Sequence, residues 1–326
     1  MTEPRTVLIT GATDGLGRAL ATRLATEGAT LILHGRDPAR LAALADELNA
    51  LAGPASRPGP EGSPGPEGRP GTASRPGDGP RVRTVQADLA DLAQVRRLAG
   101  DVRAATDRLD VLVSNAGIGS GEPDGRTRRT SADGHELRFA VNYLAGFLLT
   151  LDLLPLLRAT ATAGSSTAGS STAGSTTAGP VGRAPARIVN VASLGQHPLD
   201  FDDLMLERAY NGGQAYAQSK LAQIMSGFEL AERVDPAEIT VNSLHPATYM
   251  PTKMVLLEVG HSVDALETGV EATHRLVTSP ALDGVTGRFF DRQRETRANP
   301  QAYDGAVRAA LWERSLALVD RVGAAV

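Results

Sequence analysis

An α/β fold, one doubly wound parallel sheet with helices on both faces, is predicted by three features of the sequence. Short runs rich in Val, Ile and Leu alternate with longer segments whose apolar residues recur at helical spacing. The short runs are apolar on both faces, as strands covered on both sides must be. The first of them leads directly through a glycine-rich turn into a helix.

Residues 6–10 (TVLIT) form the first predicted strand and residues 15–28 the first helix. The unit repeats as strand 30–34 with helix 38–51, strand 82–87 with helix 92–106, strand 111–114 with helix 131–157, and strand 188–192 with helix 214–233. Residues 239–244 (ITVNSL) complete six strands. A last helix is expected from Pro300 to about Val319, with Asn299 as N-cap and Pro300 at the first helical position. Strand and helix in strict alternation imply right-handed crossovers and hence a single open sheet.

Two stretches interrupt the pattern and read as disordered insertions in one domain spanning residues 1–326. Between residues 53 and 80, 16 of 28 residues are Gly or Pro, leaving too few apolar groups to offset the entropy of ordering. Gly59, Gly62, Gly65, Gly68 and Gly71 fall at a period of three. That spacing is like collagen's, in a run read as a polyproline-leaning linker. Residues 161–180 repeat AGSST-like pentads and read as a flexible Ser/Thr/Gly/Ala linker. Each joins a helix to the start of the next strand, the edge opposite the one where ligands bind in such sheets, so both are expected to be catalytically neutral.

Composition excludes several functions. With 33 Lys and Arg against 37 Asp and Glu, the net charge of −4 offers no field for nucleic acid or anionic membrane. The absence of cysteine removes thiolate catalysis, disulfide scaffolds and Cys-ligated metals. The six histidines lack ligand spacing, so no metal is expected. The chain enters its first strand without a signal-peptide pattern, and the apolar region 147–157 is interrupted by Thr150, Asp152 and Pro155 and is too short to span a bilayer. A cytoplasmic protein is expected.

The turn after the first strand reads Thr10-Gly11-Ala12-Thr13-Asp14-Gly15-Leu16-Gly17. Glycine there permits unusual backbone angles, close approach of a pyrophosphate and tight packing of helix on strand. The helix N-terminus then offers free N–H groups and a partial positive charge to phosphate. The next strand ends in His34-Gly35-Arg36-Asp37, within reach of an adenosine ribose. A guanidinium suits a 2′-phosphate and a carboxylate a 2′-hydroxyl, so Arg36 favours NADP over NAD. Asp37 either caps the following helix or competes for the ribose.

Tyr216 and Lys220 lie four apart on a predicted helix and so share a face. All but two of the 33 basic residues are arginine, yet one of the two lysines falls here. A tyrosine that exchanges a proton near neutral pH needs its pKa lowered from about 10, which an adjacent ammonium achieves. Ser193 follows the fifth strand, placed either to hydrogen-bond a reacting carbonyl oxygen or to cap a turn. Asn142, among Phe139, Val141 and Leu144, is either a satisfied core amide or the holder of a proton-relay water.

With these residues the sequence resembles the short-chain dehydrogenase/reductase family, a Rossmann-fold family. The segment Ser193, Tyr210-Asn211-Gly212-Gly213, Tyr216 and Lys220 is similar to its retinol-dehydrogenase-like branch. The likeness also covers the glycine turn, Asp88-Leu89, Asn115-Ala116-Gly117, Asn142 and His245-Pro246, that is, nearly all the chain outside the insertions. The resemblance implies that Gly11, Thr13, Asp14, Gly15, Leu16, Gly17 and Arg36 bind the cofactor, that Asp88 and Leu89 flank adenine, and that Asn115, Ala116 and Gly117 line the cofactor. It also implies a catalytic tetrad of Asn142, Ser193, Tyr216 and Lys220, of which Tyr216 and Lys220 also belong to the cofactor set, Lys220 holding the nicotinamide ribose. Two departures stand out. Pro246 is followed by Ala247 where the family has Gly, and Thr252 comes one residue late. Pro246 and Thr248 are therefore taken into the cofactor set, with Thr252 the competitor of Thr248. The glycine turn also lacks the second basic residue of the usual NADP pattern.

These features predict reversible, NADP-dependent reduction of a carbonyl by a general acid/base Tyr216. Residues 249–259 (YMPTKMVLLEV), where the family covers its substrate, favour a hydrophobic ketone, aldehyde or alcohol. The alternatives are an inactive NADP(H)-binding regulatory protein of the same fold and a methyltransferase; the first would lack Tyr216 or Lys220, and the Tyr–Lys pair argues against the second. A homodimer through helices 131–157 and 214–233 is expected by analogy, although some members of the branch are monomers.

Overall fold

The computed structural model describes residues 4–51, 81–121, 125–163 and 184–320. The insertion at 53–80 lies outside the described residues, and of that at 161–180 only the first three positions lie within them, where they finish a helix. The first half of the chain runs β1 (Thr6–Ile9), α1 (Gly15–Thr26), β2 (Thr30–Gly35), α2 (Pro38–Leu51), β3 (Val82–Gln86), α3 (Leu92–Ala105), β4 (Val111–Ser114), α4 (Leu137–Phe139) and, through a π turn at Ala140–Leu144, α5 (Ala145–Thr162). The second half runs β5 (Ala186–Val191), α6 (Gly212–Arg233), β6 (Ile239–His245), α7 (Lys253–Glu258), α8 (Leu266–Thr278), β7 (Arg288–Asp291), β8 (Arg294–Thr296) and α9 (Gly305–Leu318).

The strands form one sheet in the order β3-β2-β1-β4-β5-β6-β7-β8, parallel throughout except for β8, which returns antiparallel to β7. Alternate residues of one strand serve different layers. Leu8 packs with α3, α5, α6 and α9, whereas Val7 and Ile9 pack with α1, α2 and α8. The inner strands β1, β4, β5 and β6 are therefore buried on both faces. The chain winds outward in both directions from the β1/β4 pair, the switch point at whose C-terminal end open sheets of this kind bind ligands.

α9 covers α6 within the same chain. Arg308 sits 3.4 Å from Glu229 and also pairs with Glu232; the Arg233 guanidinium lies 4.6 Å from the Trp312 ring; and the Tyr143 and Ser315 hydroxyls are 2.6 Å apart.

The structure departs from expectation in four places. The helix expected over 131–157 begins only at Leu137, because residues 131–136 close a turn in which Ser131 N–H donates to His135 O (2.8 Å) and Gly134 takes φ +83°. The helix expected from Pro300 to Val319 is two pieces, a 3₁₀ turn at Pro300–Tyr303 capped by Asn299, then α9. Asp304 divides them by capping Ala306 and Val307 with its own carboxylate. α8 was not expected, and β7 and β8 extend the sheet from six strands to eight. Counted through its π turn, the helix Leu137–Thr162 is long and apolar enough to cross a membrane, with 72% of its most apolar window buried inside the protein.

Trp312 is the chain's single tryptophan and is 1% exposed, packed edge-on against Phe147. Trp312→Ala is expected to cost about 3–5 kcal/mol, measurable as a lowered urea midpoint by circular dichroism.

Candidate active site

The glycine turn leaves β1 at the switch point. Gly11 (φ +66°) and Gly15 (φ +47°) occupy the left-handed region, and a Cβ on Gly17 would lie 2.3 Å from the Gly11 carbonyl oxygen. The three glycines thus meet three separate demands: two turns and one close packing of helix on loop. The resulting cradle fits a dinucleotide pyrophosphate at the start of α1. Leu16 turns its side chain into the core, so it offers a phosphate only its backbone. Asp14 caps α1, accepting from Gly15 N–H at 2.8 Å.

Neighbouring strands hold this turn in place. Asn115 Nδ2 donates to Thr10 O (2.8 Å) and Gly11 O (3.3 Å), and the Asn115 and Ala116 amides donate to Thr10 Oγ1 at 2.9 and 3.0 Å. His34 performs a task that sequence reading missed. Buried at the end of β2, it accepts from Gly11 N–H through Nδ1 (3.3 Å) and bonds Ala87 O through Nε2 (3.1 Å). Burial pushes its pKa down to about 4, so the neutral ring with its proton on Nε2 satisfies both contacts.

Arg36 is exposed at the end of β2, whereas Asp37 is engaged as the cap of α2, accepting from Ala39 and Arg40 N–H at 2.9 and 3.2 Å. A second guanidinium stands at the turn. Arg40 reaches back to Thr13 O (2.9 Å) and to Asp14 (3.0 Å), supplying from α2 the basic group absent from the turn itself. Asp88 is half-buried, its carboxylate accepting from Ala90 N–H at 3.0 Å, and the Leu89 side chain belongs to the core.

The tetrad residues come from three elements. Lys220 on α6 is 5% exposed; its Nζ donates to Val191 O at the end of β5 (2.8 Å) and lies 5.9 Å from the centre of the Tyr216 ring. Gly195 separates Ser193 from Tyr216, for a Cβ there would be 3.4 Å from Ser193 Oγ and 3.9 Å from Tyr216 Cε1. Asn142 sits in the π turn. Its Oδ1 accepts from Ile118 N–H (2.8 Å), and its Nδ2 donates to Ile118 O (3.1 Å) and Ser219 Oγ (3.0 Å). A Cβ on Gly117 would meet Asn142 Oδ1 at 3.1 Å and Lys220 Nζ at 3.6 Å. The space between these two polar groups therefore exists because residue 117 has no side chain.

Past β6 and the buried Pro246, residues 248–264 form a loop closed at its base. Asp264 accepts from Thr248 N–H (2.7 Å) and Arg292 (2.5 Å), while Thr248 Oγ1 lies 3.1 Å from His245 Nε2. The Thr248 hydroxyl is thus engaged at the base of the loop. Thr252 instead caps α7, and its methyl would be 3.0 Å from a Cβ on Gly15, which puts Thr252 against the glycine turn. Farther out, Leu256 and Leu257 are exposed. Among the described residues no three His, Asp or Glu side chains gather as a metal site would require.

Fold and site together define a nucleotide-binding α/β protein with its polar groups gathered at the switch point of the sheet. The family model for short chain dehydrogenases matches residues 5–57 and 71–184, and the chain belongs to that oxidoreductase family, in its retinol-dehydrogenase-like branch. It is 35% identical to human retinol dehydrogenase 14, over 97% of this chain and 86% of that protein. A Streptomyces protein named as a candidate daunorubicin C-13 ketoreductase, DnrU, is 34% identical over 97% of this chain and 92% of its own. The Pseudomonas aeruginosa RhlG/NADP active-site complex shares the fold, with a TM-score of 0.59 at 24% identity over 88% of this chain and 94% of that one.

Burial pushes the Lys220 pKa down from 10.5 to about 8. The unfolded chain therefore binds more protons than the folded one between these two values, and stability rises with pH across that window by about 3 kcal/mol. Lys220→Met removes the buried charge. It is expected to be more stable than the parent in urea at pH 7, with the advantage shrinking toward zero by pH 10.5.

Proposed function

We propose that this chain is an NADP(H)-dependent oxidoreductase that interconverts a ketone or aldehyde and its alcohol, with Tyr216 as general acid/base. The observation that carries the reading is the convergence of Ser193, Tyr216 and Lys220 beside the glycine cradle. The names of the two relatives, a retinol dehydrogenase and a ketoreductase, belong to this one reaction type.

The nicotinamide, when bound, supplies or takes up the hydride. Gly11, Gly15 and Gly17 admit the pyrophosphate, with Thr13 and the α1 N-terminus facing it. Arg36 and Arg40 would hold a 2′-phosphate, while Asp37 uses Oδ1 to cap α2. The Ser193 hydroxyl donates to the carbonyl oxygen of the substrate and Tyr216 gives that oxygen its proton. Preorganised donors of this kind stabilise the developing alkoxide. Lys220, an ammonium beside the phenol, favours the phenolate that remains. Asn142 fixes the Ile118 loop against α6, and the room left by Gly117 between Asn142 and Lys220 is where a relay water would sit. The apolar outer part of loop 248–264 favours a hydrophobic substrate.

Two measurements test the reading. Tyr216→Phe should lower kcat by about 10²–10⁴-fold while NADPH affinity, followed by fluorescence titration, stays the same; full turnover would refute the assignment of Tyr216. Arg36→Ala should weaken NADPH binding by about 10- to 100-fold and leave NADH unchanged. Equal losses for the two cofactors would instead count against NADP.

A further inference from the structure

Arg138 and the Tyr210-Asn211-Gly212-Gly213 run have no part in the chemistry above, yet they meet in one buried cluster. Arg138 is 0% exposed. Its Nε donates to Gly119 O and its Nη2 to Ser120 O, each at 2.7 Å, and its Nη1 donates to the Tyr210 hydroxyl. Glu136, 1% exposed, lies 3.7 Å from the guanidinium. It accepts from the Tyr210 hydroxyl at 3.1 Å and from Phe139 N–H at 2.7 Å.

Three segments that carry the site are joined there. One is the loop after β4, whose Ile118 peptide is bonded through both its N–H and its carbonyl to Asn142. The second is α4 with its π turn, the support of Asn142 itself. The third is the lead-in to α6, where Tyr210 precedes Tyr216 by under two turns and Asn211 caps the helix by accepting from Gln214 N–H at 3.0 Å. Contact between loop and lead-in is tight. Gly212 N–H donates to Gly125 O at 2.9 Å, and a Cβ on Gly212 would lie 2.3 Å from Ser120 O.

A guanidinium is suited to this place because its planar fork serves two successive carbonyls at once, which the point charge of an ammonium does not. A buried cation is tolerated only when paired and hydrogen-bonded, and Glu136, Tyr210 and the two carbonyls provide that.

We propose that Arg138 is a positioning residue: by clamping Gly119 and Ser120 against Tyr210, it sets how Asn142 and Tyr216 face each other across the site. The inference rests on the reading of Tyr216 as the general acid/base, and Arg138 acts only through the groups it holds.

The test compares the full-length parent with Arg138→Met, Arg138→Lys and Tyr210→Phe. Hydrogen exchange is followed by mass spectrometry over residues 116–121 and 209–220, alongside NADPH titration and the pH dependence of kcat on a ketone that the parent reduces. Arg138→Met, Arg138→Lys and Tyr210→Phe are expected to raise exchange in both segments together and to lower kcat by about 10- to 100-fold. The limb of the kcat profile should move while NADPH affinity stays unchanged. A folded Arg138→Met or Tyr210→Phe with parental kcat and an unmoved profile overturns the proposal, as does exchange that rises in only one segment. If Arg138→Met does not fold, Tyr210→Phe, which loses a single hydroxyl, carries the comparison. If the parent binds NADPH yet reduces no carbonyl, the proposed function fails, and the exchange pattern alone decides whether the clamp couples the two segments.

Discussion

A lysine ammonium buried at the C-terminal end of β5 is the constraint around which the site is arranged. Removing such a charge from water costs several kcal/mol unless it is paired or hydrogen-bonded. Here the Val191 carbonyl provides one fixed partner, and the Tyr216 ring lies alongside. Meeting that demand dictates much else. α6 brings Lys220 to the end of β5, Gly117 leaves room between Lys220 and Asn142, and Ser219, beside Lys220, is tied to Asn142. An ammonium held out of water acts more strongly on a neighbouring charge than an exposed one does.

The nucleotide cradle follows a different logic, of close approach rather than charge. Gly17 packs against the Gly11 carbonyl, Asn115 ties that carbonyl to β4, and His34 ties the Gly11 amide to the end of β3. Adjacent strands therefore hold one turn from two sides. A neutral histidine suits this because it donates at one nitrogen and accepts at the other, and its depressed pKa keeps it neutral through the physiological range. The two parts of the site share the sheet edge and little else: rigid backbone at β1, β2 and β4, and side chains supported by buried polar clusters at β5, α6 and the π turn.

Legibility in the sequence tracked how local the physics was. The central strands could be read because each is apolar on both faces, a pattern produced only by helices above and below. β7 and β8 could not, since RFFD and RET at the sheet margin are short and partly charged. The break between the 3₁₀ turn and α9 was hidden because an aspartate inside a helical pattern caps only if its carboxylate outcompetes the backbone, a contest decided by local geometry. In the site, the glycine turn and the Tyr–Lys spacing were legible from neighbours a few residues apart. His34, Arg40 and Arg138 were not. Their partners lie across the sheet or in another loop, and no spacing announces them.

By itself, then, the sequence determined the parallel α/β architecture, the place of the cradle after β1, and the pairing of Tyr216 with Lys220 on one helical face, because periodicity and turn chemistry act over a few residues. Tertiary structure alone decided that Asp37 caps a helix, that Arg40 leans over the glycine turn, that Thr252 rather than Thr248 lies against Gly15, and that a fully buried Arg138 bonds the loop after β4 to the lead-in of α6. Each of those outcomes depends on which distant backbone groups are left needing a partner once the sheet has assembled.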